Sequence, residues 1–129
     1  MTASPMVPVS WGELIDKLTI LEIKLDRLTS PAALENVKRE HSALSRAVRG
    51  VAAEPDMRAL RDSLRVVNQR LWDVEDLIRE CEAEGNFGDT FVSLARSVYK
   101  LNDERAELKR RISLRWQSEF VEEKSYAQY

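Results

Sequence analysis

Apolar residues recur in steps of three and four along most of the chain, and this spacing constrains the fold more than any other feature of the sequence. Such spacing lines one face of an α-helix with apolar side chains. The chain has only four glycines and four prolines in 129 residues, too few for the frequent turns of a β-sandwich. The sequence therefore predicts an all-α fold. The longest run, about eight turns without a glycine or proline, is Met57, Leu60, Leu64, Val67, Leu71, Val74, Ile78 and Cys81.

Capping and breaking residues divide the chain into four helices. Ser10 and Glu13 form a capping-box pattern, and prolines at positions 31 and 55 suit the first turn of a helix. Glycines at positions 85 and 88 mark a turn. Short connections predict an up-down four-helix bundle or two elongated helical hairpins. We expect helices near residues 11–28, 31–52, 56–84 and 90–116, in a single helical domain at 11–116 between an irregular arm at 1–10 and a tail at 117–129.

Composition excludes several functional classes. The net charge is −2, so we do not expect a nucleic-acid-binding protein. The single cysteine, Cys81, allows no internal disulfide, and the single histidine, His41, allows few zinc sites. The first ten residues lack the features of a signal peptide, and no apolar run is long enough to cross a membrane. The sequence predicts a cytoplasmic protein that does not enter a membrane and has no metal site or cofactor.

The last two predicted helices are longer than the first two. At about 1.5 Å per residue, their hairpin extends two to three turns beyond the first hairpin. The resulting tip, residues 77–94, carries more apolar surface than a small monomer leaves in water. A second copy of the chain, or a tail that folds back, is expected to cover it, and dimerisation is the preferred prediction. The apolar residues predicted to form this interface are Leu77, Ile78, Cys81, Phe87, Phe91 and Leu94.

Charged residues are unevenly distributed along the chain. Residues 73–89 contain seven acidic residues and one arginine, whereas the predicted fourth helix ends in a basic run. In an up-down bundle this run meets the start of the third helix and forms an arginine-rich pole. Guanidinium groups and aromatic rings could bind an anion there, although a solvated pole of surface ion pairs is the simpler interpretation. The predicted pole consists of Arg58, Arg61, Arg65, Lys109, Arg111, Arg115, Trp11 and Trp116.

Arg105 interrupts the apolar face of the fourth helix. A buried guanidinium needs an acidic partner, because an unpaired buried charge costs several kcal/mol. The bundle register predicts a polar layer in which Arg105 pairs with Glu22 or Asp26, near Asn68 or Asn102. This layer specifies the helix register or forms a ligand pocket.

Four segments resemble a family of small bacterial proteins of unknown function. They are GELIDKLTILEIKL from residue 12, LWDVEDLIRE from residue 71, FVSLARSVYKLNDERAELKR from residue 91 and EEKSY from residue 122. The resemblance implies a standalone helical domain and supplies no catalytic residue. We therefore expect a non-enzymatic interaction or scaffold module that acts as an oligomer. The alternative is an anion- or nucleotide-binding helical protein, or a small enzyme, that uses the arginine-rich pole or the Arg105 layer.

Overall fold

A computed structural model describes residues 3–50, 54–116 and 123–129. The helices are α1 (Trp11–Arg27), α2 (Pro31–Ser45), α3 (Pro55–Glu84) and α4 (Asp89–Arg115), and a short 3₁₀ turn (Arg46–Val48) follows α2. The all-α prediction is confirmed. Helices α1, α3 and α4 begin and end within one residue of the predicted positions.

The predicted signals cap these helices. Ser10 Oγ accepts a hydrogen bond of 3.0 Å from the Glu13 amide, and Ser30 caps α2 in the same way through the Ala33 amide. Gly85 ends α3 with φ at 66°, a left-handed conformation that glycine adopts without strain. The polar and glycine residues between the apolar runs therefore fix the helix ends.

Helix α2 is shorter than predicted. The sequence indicated a helix to residue 52, but regular α-helix ends at Ser45 and the chain tightens into the 3₁₀ turn. This turn buries Val48 in the core, where it is 5% exposed. The end of the predicted helix, residues 51–52, lies outside the described residues.

The helices form two hairpins, α1–α2 and α3–α4, and α1 packs against both helices of the second hairpin. Helices α3 and α4 pair along their length, α1 packs on both of them, and α2 packs on α1. The main core lies where α1 meets the other hairpin. It contains the buried residues Ile15, Leu18, Val48, Met57, Leu64 and Ile112, with Trp11, Leu14, Leu44, Leu60, Leu108 and Trp116 packed around them.

The first turn of α1 lies unusually close to α4. A Cβ added at Gly12 would lie 2.2 Å from the Lys109 carbonyl oxygen, far inside van der Waals contact. The Gly12 amide donates a 3.0 Å hydrogen bond to Ser113 Oγ, and Ser113 is fully buried. Only glycine allows this approach.

The described part of the C-terminal tail, residues 123–129, has no regular secondary structure and runs back along α4. Glu123 forms an ion pair with Arg110. Tyr129 packs edge-on against Tyr99 and donates a 2.8 Å hydrogen bond to Asp103. These contacts run along α4 from Arg110, at the level of the core, towards the tip as far as Tyr99.

Within the described residues, no helix combines the length and apolarity needed to cross a membrane.

Candidate functional site

A polar cluster lies in the interface between α1 and the α3–α4 hairpin. Asp16 is 2% exposed and accepts two hydrogen bonds from Arg105, at 2.9 Å from Nε and 2.6 Å from Nη2. Asn68 donates to Asp16 Oδ1 at 3.0 Å and to Thr19 Oγ1 at 2.9 Å. Thr19 in turn donates to the Asp16 carbonyl at 2.7 Å. Three helices therefore converge on one buried carboxylate.

The predicted acidic partners of Arg105 were wrong. The sequence proposed Glu22 or Asp26, whereas Asp16 forms the bidentate pair. The difference arises because α4 meets the first half of α1. Asn68 is in the cluster as expected, and Asn102 is half-buried on α4, one turn nearer the tip than Arg105.

Sequence reasoning missed Asp16, although a signal was present. The apolar face of α1 is wider than a simple seam, and Gly12, Asp16, Thr19 and Ile23 follow one another on it in steps of three and four. A carboxylate among small and apolar residues on a buried stripe indicates a buried ion pair.

Glu22 and Asp26 belong to a second, more exposed ion-pair network between α1 and α3. Arg61 Nη2 lies 2.5 Å from Glu22, and Arg65 Nη2 lies 2.9 Å from Asp26. His41 of α2 also faces Glu22, with Nε2 3.2 Å from the carboxylate. This network joins α1, α2 and α3 on one side of the molecule.

Most of the basic residues of the predicted arginine-rich pole form ion pairs, each with a different acidic residue. Arg61 and Arg65 bind Glu22 and Asp26, as described above. Lys109 is 8% exposed and pairs with Glu13 at 2.8 Å, and Arg115 pairs with Glu54 at 2.9 Å. Arg58 and Arg111 are exposed.

Two predicted aromatic members of the pole do meet. The Trp11 and Trp116 rings have centroids 6.2 Å apart and tilted planes, and both pack against the core. The Trp116 indole N–H is buried and has no acceptor among the described residues. Packing on the core leaves these rings unsuited as exposed stacking surfaces.

Glu54 occupies the start of α3 and holds Arg115 of α4. Burial raises the pKa of this carboxyl, but the hydrogen bonds from Arg115 and from the Asp56 and Met57 amides outweigh that effect. The pKa of Glu54 therefore lies below its ordinary value. The charged form of Glu54 both caps α3 and ties it to the end of α4.

The polar cluster at Asp16 borders two open clefts. One, of about 410 Å³, lies between α1 and the hairpin beside Trp72, and the other, of about 230 Å³, lies beside Lys17 and Glu40. Arg105 lines both clefts, but its guanidinium is committed to Asp16. The geometry suits a structural ion pair that fixes α1 on the hairpin.

The hairpin continues beyond the end of α1, as predicted. Arg27 in the last turn of α1 bonds to Asp73 at 2.5 Å, and the tip begins four residues later. Leu77 and Phe87 are 44% and 55% exposed, whereas Cys81 is 6% exposed and so does not belong to the exposed surface. The other residues of the predicted interface, Ile78, Phe91 and Leu94, are half-buried.

The chain is thus a small all-α protein in which α1 packs on both α2 and the α3–α4 hairpin and is held on the hairpin by a buried Asp–Arg pair. The chain belongs to a family of unknown function, DUF6165, whose model matches residues 6–129. No curated protein and no solved structure matches the chain.

Proposed function

We propose that this protein is a non-enzymatic protein-interaction module that self-associates through the tip of the α3–α4 hairpin. The observation that carries the proposal is the exposed apolar surface at residues 77–94. Leu77, Phe87 and Val92 are each about half exposed, at 44%, 55% and 51%. Two helices without a third layer bury their shared seam incompletely, so a second copy gains apolar burial there.

Burial of these side chains contributes a substantial favourable free energy to dimerisation. Full burial of a leucine or phenylalanine side chain is worth roughly 1.5–3 kcal/mol. Each dimer buries two copies of the tip, so every half-exposed apolar side chain of the tip contributes this free energy twice. This contribution offsets part of the entropy lost on association.

The ion pairs weigh against the anion-binding alternative. An anion at Arg61, Arg65, Lys109 or Arg115 would compete with carboxylates that already hold these cations at 2.5–2.9 Å. Arg105 is likewise held by Asp16 at 2.6 Å. A self-association module makes use of the exposed tip and needs none of these cations to be released.

The test is the oligomeric state in solution. Light scattering coupled to size exclusion, and sedimentation equilibrium, should give a dimer at micromolar concentration. The double variant Leu77→Ser/Phe87→Ser should shift the protein to a monomer with unchanged helix content. Met6→Ser is a matched control, because Met6 is 92% exposed in the N-terminal arm, far along the chain from the tip.

A monomeric wild-type protein at 100 μM would contradict the proposal. So would a Leu77→Ser/Phe87→Ser variant that dimerises as strongly as the wild type.

A further inference from the structure

The α3–α4 hairpin has a second broad face, on the flank away from α1. Helix α1 binds α3 through Arg61, Arg65 and Asn68, which follow one another on one side of the helix. The residues that point to the other side of the seam form what we call the open face. They are Ala59, Ser63, Val66, Arg70 and Leu77 on α3, and Ser93, Lys100, Glu104, Arg111 and Leu114 on α4, all of them exposed.

A groove marks the open face near the base of the hairpin. It has a volume of about 600 Å³, and Ala59 and Ser63 of α3 line it together with Arg111 and Leu114 of α4. Small side chains on α3 let another helix approach closely. Leu114, which lines the groove, and Val66, about one turn nearer the tip than Ser63, are each 53% exposed, so the apolar surface of the groove continues by about one turn towards the tip.

The area of the open face favours an extended interface. At about 1.5 Å per residue, the 30 residues of α3 span about 45 Å, and two helices side by side are about 20 Å wide. The whole face thus has a flat footprint of roughly 900 Å² per copy, enough room for a typical stable interface, which buries about 800 Å² of accessible surface per partner. The tip alone offers only about 300 Å² per copy.

The charges on the open face have an ordered pattern. Asn68 and Arg105 both bind Asp16, so they lie at the same height on the hairpin. By this register Arg70 of α3 lies at the height of Glu104 of α4, and Lys100 lies at the height where the acidic stretch of α3 begins. Within the described residues, Arg70, Lys100 and Glu104 form no ion pair, so these charges are available to a partner.

We propose that the second copy docks along the whole open face, with the two hairpin tips pointing in the same direction. This inference rests on the proposed self-association and specifies its geometry. Face-to-face stacking with two-fold symmetry and tips aligned places α3 of one copy over α4 of the other. Arg70 then meets the partner's Glu104, and the start of the acidic stretch of α3 lies over the partner's Lys100.

The opposite orientation is electrostatically unfavourable. With the tips opposed, α3 lies over α3 of the partner. The two-fold axis then crosses the middle of the open face, so Arg70 and Glu104, which lie near the midpoints of α3 and α4, would each meet the same residue of the partner, and like charges would come together. Charge complementarity therefore selects the aligned orientation.

Disulfide trapping tests the orientation in the full-length chain. In a Cys81→Ala background, the variants Ser63→Cys and Arg111→Cys are mixed and oxidised. These positions lie at nearly the same height on α3 and α4, so the mixture should form a disulfide between copies, whereas each variant alone should not. Mass spectrometry identifies the linked peptides.

A matched pair on the other flank serves as the control. Arg79→Cys and Ala95→Cys also lie at nearly equal heights, but on the side of the hairpin that continues the α1-facing surface. Their mixture should form no disulfide between copies. A strong Arg79–Ala95 product, or a dimer without the Ser63–Arg111 product, would overturn the proposed docking.

Charge exchange gives an independent readout. Arg70→Glu alone and Glu104→Arg alone should each weaken dimerisation about tenfold at low salt, since each dimer contains the contact twice. The double variant Arg70→Glu/Glu104→Arg should recover most of the lost dimer affinity.

A double variant that dimerises more weakly than either single variant contradicts the pairing. A monomeric wild-type protein would instead overturn the proposed self-association itself.

Discussion

Gly12 is the residue at which α1 and α4 come closest. Its missing side chain lets the α1 backbone lie against the Lys109 carbonyl and lets its own amide bind Ser113. Because backbone atoms on α4 cannot move aside as a side chain can, any larger residue must push the two helices apart.

Gly12→Ala should therefore destabilise the fold by about 3 kcal/mol, measured by chemical denaturation. Gly88→Ala is the matched control, since its added Cβ would meet only Asn86 Oδ1 at 3.6 Å. We expect that variant to lose less than about 1 kcal/mol. Equal losses at the two positions would contradict the close-approach argument.

Glu54 gives the fold a dependence on pH. Its pKa is lower in the folded chain than its ordinary value of 4.5, so its stabilising effect is fully present above that value. The effect is lost as the pH falls through the lower, folded-state pKa.

We expect Glu54→Gln to be less stable than the wild type at pH 7, with the difference shrinking as the pH falls below about 4.5. Thermal unfolding followed by circular dichroism between pH 3 and pH 7 measures this. Glu80→Gln, an exposed change on the same helix, should leave the pH profile unchanged. A difference between Glu54→Gln and the wild type that is constant across this range would argue against the role of the Glu54 charge.

At the scale of elements, α1 is held on the α3–α4 hairpin by the Asp16–Arg105 pair as well as by apolar packing. In this bidentate pair the Asp16 carboxylate is almost fully buried and Arg105 is its charge partner, so loss of Arg105 leaves a buried charge without compensation. Asn68 and Thr19 satisfy further polar groups around it, so the cluster behaves as one unit.

Arg105→Leu should cost about 3–5 kcal/mol, because it leaves Asp16 charged and unpaired. Asp16→Leu/Arg105→Leu should cost less than the sum of the two single changes, and the difference in a double-mutant cycle measures their coupling. Arg96→Leu, an exposed arginine on the same helix, should change stability by less than about 0.5 kcal/mol. Additive effects of Asp16 and Arg105 would contradict the pairing.

The helices could be predicted from the sequence, but the pairing across helices could not. Apolar spacing and helix caps depend only on residues close together in the sequence, so the ends of α1, α3 and α4 are predicted to within one residue. The stripe on α1 marks Asp16 as buried, but which residue of α4 it meets depends on how far α1 slides along α4, and the contact at Gly12 sets that distance. The 3₁₀ turn after α2 also follows from tertiary packing, since Val48 turns into the core.

At the scale of the whole molecule, one helical hairpin is longer than the helix that covers it. Leu77, Phe87 and Val92 remain exposed beyond the end of α1, and the tail bends back over α4 without reaching them at its described contacts with Tyr99, Asp103 and Arg110. The self-association proposed for this surface would make stability depend on a second copy.

The melting temperature should consequently rise with protein concentration, because in the proposed dimer only the folded chain associates. A hundredfold increase in concentration, from about 1 to 100 μM, should raise it by several degrees in differential scanning calorimetry. Leu77→Ser/Phe87→Ser should remove this dependence. A wild-type melting temperature independent of concentration would contradict self-association.

The buried carboxylate on α1 also determines when α1 can complete its packing during synthesis of the chain. Asp16 and Arg105 are separated by 89 positions in the chain, so at roughly 5–20 residues per second the arginine is made about 4–18 s later. The first hairpin leaves the ribosome with its central carboxylate unpaired and its apolar face uncovered. The packing of α1 is completed only when α4 emerges, so α1 is made before α3 and α4 but reaches its final surroundings only after both have been made.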